Sequence, residues 1–64
     1  MTKRYRGEQR REGDTVWITF VFEDRESVEE AAQDQLFNAS VCRAKYHIQV
    51  RDSERDIVLW HQVA

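Results

Sequence analysis

Apolar side chains recur with different periods along this chain, and the points where the period changes mark its elements. Residues 1–13 show no apolar periodicity, hold both glycines and are mostly charged. Such a stretch cannot order itself by burial and reads as a flexible arm ahead of one domain over 14–64. From Thr15 the period becomes two. Val16, Ile18, Phe20 and Phe22 line one face of an extended segment, and Trp17, Thr19, Val21 and Glu23 the other. Ser27-Val28-Glu29-Glu30 has the spacing of a capping box, which predicts a helix start at Ser27. Val28, Ala31, Ala32 and Leu36 then follow one helical face, with Glu29, Glu30, Gln33 and Asp34 opposite and an end near Asn38. Over Val41–Arg51 the period returns to two: Cys42, Ala44, Tyr46, Ile48 and Val50 alternate with Arg43, Lys45, His47, Gln49 and Arg51. A turn at 52–55 leads to a third strand over Asp56–Val63.

Placing Arg51 opposite Asp56 aligns Ile48 with Leu59, Val50 with Ile57, Tyr46 with His61 and Ala44 with Val63 on the core side. The fold expected is a small α+β domain of β-α-β-β order, half of a ferredoxin-like arrangement. Its three-stranded mixed sheet has one helix on one face. The first two strands run parallel and the third returns antiparallel. Strand order 1-3-2 is favoured, because Ile57-Val58-Leu59-Trp60 is apolar on both faces while the charged second strand makes a protected edge.

One helix covers one side of such a sheet. The open side is expected to carry Trp17, Thr19 and Val21 from the first strand, Val58, Trp60 and Gln62 from the third, and Arg43, Lys45, His47, Gln49 and Arg51 from the second. An uncovered patch of this kind marks a contact surface, and Trp and Arg are the residue types enriched at binding hot spots. Three occupants fit it: the arm itself or a second copy in a homodimer, a different protein partner, or single-stranded nucleic acid stacking on the tryptophans.

With 64 residues the chain can bury only about 60 % of its unfolded surface, which excludes a second domain and the larger nucleotide folds. The net charge of −2 hides a segregation. Lys3, Arg4, Arg6, Arg10 and Arg11 outweigh Glu8 and Glu12 in the arm and would add affinity for an anionic partner, whereas residues 14–40 carry seven acids against Arg25 alone. A lone cysteine, Cys42, cannot form an internal bridge and reads as a small core residue. The basic start lacks the apolar stretch of a secretory signal, and no window is long and apolar enough to span a membrane, so a cytoplasmic location is expected.

Catalytic and metal chemistry finds little support in this pattern. The hairpin register puts His47 and His61 on opposite faces, away from convergence with Cys42, and makes His61 a residue at the end of the core. Capping accounts for Ser27, the helix-to-strand turn accounts for Ser40, and no glycine-rich phosphate loop is present. No cofactor and no enzymatic activity are expected. The β-α-β-β layout is similar to that of the dodecins, flavin-binding oligomers, through an isolated tryptophan only. The strand leading into Glu23-Asp24-Arg25-Glu26-Ser27-Val28-Glu29-Glu30-Ala31-Ala32 resembles small phage-encoded proteins that bind and inhibit host enzymes. That resemblance implies an inhibitor or regulator of a larger intracellular protein, and no functional residue carries over from either group.

Overall fold

The computed structural model describes residues 4–42 and 45–64; Lys3, Arg43 and Ala44, each given a role above, lie outside them. The elements are β1 (Tyr5–Arg11), β2 (Ile18–Glu23), α1 (Arg25–Val41), β3 (Tyr46–Asp52) and β4 (Ile57–Val63). They build one helix against a four-stranded sheet of order β2-β1-β3-β4, antiparallel throughout.

The expected three-stranded sheet is therefore corrected by one strand, and by its place. Residues 5–11 are not an arm but β1, an inner strand hydrogen-bonded to β2 on one side and β3 on the other. Burial of apolar side chains does not order this segment. Its even positions, Arg6, Glu8, Arg10 and then Glu12, alternate in sign along the side facing away from the helix. Its odd positions bring Tyr5 and Gly7 under the helix, opposite Asp52 and Val50. β2 and β3 both run antiparallel to β1 and so parallel to each other, as expected, with β1 inserted between them. The expected central third strand is the edge strand β4.

Gly7 shows why β1 passes so close beneath its neighbours. A Cβ there would lie 2.6 Å from Phe20 Cζ and 2.9 Å from Val21 Cγ1. An irregularity in the β1–β2 pairing at Gly7/Glu8 sets both Phe20 and Val21 over this bare position, and both pack against the core. Val21 thus belongs to the helix side and not to the open face.

The β3–β4 hairpin forms as expected, in a different register. Asp52 pairs with Ile57 and Arg51 with Val58; after an irregularity, Val50 pairs with Trp60, Gln49 with His61, Ile48 with Gln62 and His47 with Val63. Leu59 takes up the extra position. This odd-numbered shift reverses the face of every residue beyond it. Trp60 turns to the helix side, where with Val50, Glu29 and Gln33 it lines a groove of about 190 Å³. His61 turns to the opposite side.

Helix α1 starts earlier than the Ser27 box suggests. Asp24 is the N-cap, and its carboxylate accepts from the Ser27 backbone N–H at 3.0 Å and from Ser27 Oγ at 3.1 Å. Those bonds hold the Asp24 carboxyl below its ordinary range. The helix runs beyond Asn38 to Val41, and Cys42, expected in the core, is an exposed C-cap. Val28, Ala32 and Ala39 face the sheet and meet Ile48 and Val50, all buried. Leu36 and Tyr46 flank them, half-buried. The two alanines let the helix approach β1 and β3 closely. Burying Val28, Ile48 or Val50 contributes about 1.5–3 kcal/mol each.

A polar latch closes the structure at the end of the sheet. Asp52, only 2 % exposed, accepts both Arg4 Nε at 3.0 Å and Arg4 Nη2 at 2.9 Å. It also caps its own turn, accepting from the Glu54 and Arg55 backbone N–H groups. The Arg4 fork and these bonds outweigh burial and lower the Asp52 carboxyl from 3.8 to about 2. Asp56, with φ of 55°, supplies the left-handed residue that brings the chain into β4.

Candidate interaction surface on the helix-free face

Residues paired across a sheet share a face, so the register assembles the side opposite the helix in three transverse rows. The first runs Phe22, Arg6, Arg51, Val58; the second Thr19, Glu8, Gln49, His61; the third has Arg10, His47 and Val63. Trp17, immediately before β2, completes the third row, its ring 5.1 Å from the Arg10 guanidinium and edge-on to both His47 and His61. Apolar and aromatic groups therefore stand on the outer strands, with charge on the inner two.

Local turns position Trp17. Gly13, at φ of 96°, occupies the turn closed by the Asp14 N–H on the Arg11 carbonyl at 2.9 Å. Arg10 Nη1 donates to the Asp14 carbonyl at 3.0 Å, tying the loop back to β1. A second tie joins the same loop to β3, where the Glu12 N–H donates to the Lys45 carbonyl at 2.9 Å.

The inner pair of the middle row, Glu8 and Gln49, is polar yet buried. Gln49 Nε2 donates to Glu8 Oε1 at 3.0 Å, and the two residues are 5 % and 7 % exposed. In the first row, Arg6 and Arg51 stand directly opposite each other, an arrangement that repels unless each charge is answered. Arg6 Nε lies 3.4 Å from Glu8 Oε2, and Arg51 Nη2 donates to Asp56 Oδ1. That bond holds the Asp56 carboxyl below its usual range and raises Arg51. Arg6 Nε and Arg51 Nε are both shut away from solvent with no hydrogen-bond partner.

A chain of titratable groups runs from the loop after β1 through the third row to His61 of the second. Glu12 Oε2 is hydrogen-bonded to His47 Nε2, and His47 Nδ1 faces His61 Nε2 at 3.2 Å with the rings within 10° of parallel. The hydrogen bond and charge of His47 pull the Glu12 carboxyl below its ordinary value of 4.5. The expectation that the two histidines lie on opposite faces is overturned by the register shift at Leu59, and His61 is an exposed surface residue rather than part of the core end.

Of the residues expected on the open face, Trp17, Thr19, His47, Gln49, Arg51 and Val58 are brought together there. Trp60, Val21 and Gln62 are on the helix side, Gln62 because the shift at Leu59 pairs it with Ile48, and Lys45 is exposed just before β3. The basic residues of the expected arm divide: Arg6 and Arg10 join the helix-free face, Arg4 is bound to Asp52, and Arg11 is exposed opposite Tyr46. Glu8, Glu12, His61, Phe22 and Val63 are the members that the sequence reading missed. The alternating signs at positions 6, 8, 10 and 12 were the available signal for the two glutamates.

Among the described residues no helix is long and apolar enough to cross a membrane. No protein-family model, curated protein or solved structure matches the chain.

Proposed function

We propose that this protein is a non-enzymatic interaction module that binds a larger protein, or a second copy of itself, through the helix-free face, and regulates or inhibits its partner by occupying it. The observation that carries this reading is the composition of that face: Trp17 and three arginines, with Phe22, Val58 and Val63 on the outer strands, on a sheet whose single helix covers the other side. Tryptophan and arginine are the residue types enriched among the anchors of protein interfaces. The hydroxyls of Ser27 and Ser40 are engaged in local bonds of the helix, which supports a non-catalytic reading.

A second reading rests on the Arg10 guanidinium over the Trp17 ring, with Arg6 and Arg51 on the same face. Single-stranded nucleic acid is bound by aromatic platforms beside backbone-tracking cations. Capture from cell extract with wild-type chain and Trp17→Ala, each with and without nuclease, separates the two. A protein partner survives nuclease and about 0.3 M salt but is lost with Trp17→Ala, whereas nucleic acid is lost to nuclease and weakened steeply by salt. A folded Trp17→Ala that retains the captured partner contradicts both.

A further inference from the structure

The helix-free face also presents two imidazoles in an arrangement that a protein partner does not require. His47 and His61 sit diagonally across the β3–β4 pair, since His47 pairs with Val63 and His61 with Gln49. Their facing nitrogens, Nδ1 of His47 and Nε2 of His61, are 3.2 Å apart. Two imidazole nitrogens bound side by side to one transition-metal ion, at about 2.0–2.1 Å each, stand roughly 2.9–3.4 Å apart. The separation in this protein falls within that range.

The second observation is what holds His47. Glu12 occupies its Nε2 position, which places the ring proton there and leaves Nδ1 as an acceptor toward His61 Nε2. A carboxylate on the far nitrogen of a histidine is the arrangement that orients metal-bound imidazoles and raises their basicity. His61 is exposed, so an ion reaches the pair directly from solvent. The χ2 torsion of histidine is broad, so a rotation of each ring by some tens of degrees turns the two facing nitrogens from each other onto one cation.

From this geometry we propose that His47 and His61 form a bidentate site for a borderline divalent ion, Cu²⁺, Ni²⁺ or Zn²⁺, with Glu12 as the positioning carboxylate. Imidazole favours these ions over Mg²⁺ and Ca²⁺. Among the described residues no group of three or more histidine, cysteine or acidic side chains converges on one ion, so water completes the coordination. On binding, His61 exchanges its Nε2 proton with solvent for one on Nδ1, so that it stays neutral and the Nε2 and His47 Nδ1 lone pairs both go to the metal, with no net proton release and no change of oxidation state.

Trp17 is a built-in reporter. Its ring centroid is 6.5 Å from that of His47 and 6.1 Å from that of His61, while Trp60 is on the other side of the sheet. The test is titration of the full chain carrying Cys42→Ser, which removes the exposed thiol, with CuCl₂ while tryptophan emission is followed. The expected result is saturable quenching at one equivalent, reversed by excess ZnCl₂. His61→Gln should weaken the metal by at least about tenfold, and Glu12→Gln by a similar factor with the fold intact by circular dichroism. Amide NMR on the same protein, without further substitution, should show Cu²⁺ broadening centred on residues 17, 47 and 61. Quenching unchanged in His61→Gln, or broadening centred elsewhere in the chain, overturns the site.

Discussion

Asp52 shows how one side chain sets a condition on the whole structure. It is buried, doubly bonded to Arg4 and capping the turn that precedes β4. Its carboxyl is lowered in the folded chain, from 3.8 to about 2, so the stabilisation is fully present above the unfolded value and is lost as pH falls through the folded one. Denaturant midpoints measured from pH 6 to pH 2 should therefore drop below about pH 4, and Asp52→Asn should be less stable at pH 6 with a shallower fall. An unchanged slope in that variant would remove Asp52 from the account. Ile48 presents the complementary case of pure packing. Fully buried at the centre of a core with few members, it should cost about 2–5 kcal/mol on truncation to alanine, read from the shift in urea midpoint at constant slope. A loss under about 1 kcal/mol would mean that the helix does not close over β3 as described.

At the scale of elements, the boundary between what the chain announces and what it conceals follows the kind of interaction that orders each segment. β2, α1, β3 and β4 were all legible because Phe20, Val28, Ile48 and their neighbours recur at helical or strand spacing. β1 was not, because its order comes from ladders on both sides and from cross-strand pairs such as Glu8–Gln49, which leave no apolar period. The site suffered a different loss. Trp17, His47, Arg51 and Val58 were placed on the correct face by alternation, but alternation cannot reveal an irregularity, and Leu59 exchanged the faces of Trp60 and His61. Both edge strands carry such an irregularity, a feature that discourages edge-to-edge association in strands otherwise as apolar as β2 and β4. Two predictions test β1 directly. Deleting residues 1–11 should abolish cooperative unfolding, because β2 would lose its neighbour in the sheet, whereas loss of a mere arm would leave the thermal transition in place. Gly7→Val should cost about 1–3 kcal/mol in urea denaturation, since the added carbons meet Phe20 and Val21; a neutral result would contradict the close passage of β1 beneath them.

For the whole molecule, the two sides of the sheet divide the labour. The helix side supplies the core and turns an acidic surface outward through Glu29, Glu30 and Asp34. The opposite side spends its side chains on a laterally ordered surface in which Glu8 engages Arg6, Asp56 engages Arg51, the Asp14 carbonyl holds Arg10 over Trp17 and Glu12 holds His47. On the proposed reading, the face that the single helix leaves uncovered is the one that meets a partner. The separation of the tryptophans makes this claim measurable. Hydroxyl-radical footprinting of the chain alone and in complex with its captured partner reads the burial of individual side chains. The account predicts that oxidation of Trp17 and Phe22 falls several-fold in the complex while Phe37, 70 % exposed on the helix, is oxidised as before. Protection of Phe37 with Trp17 and Phe22 unchanged would place recognition on the helix and contradict it.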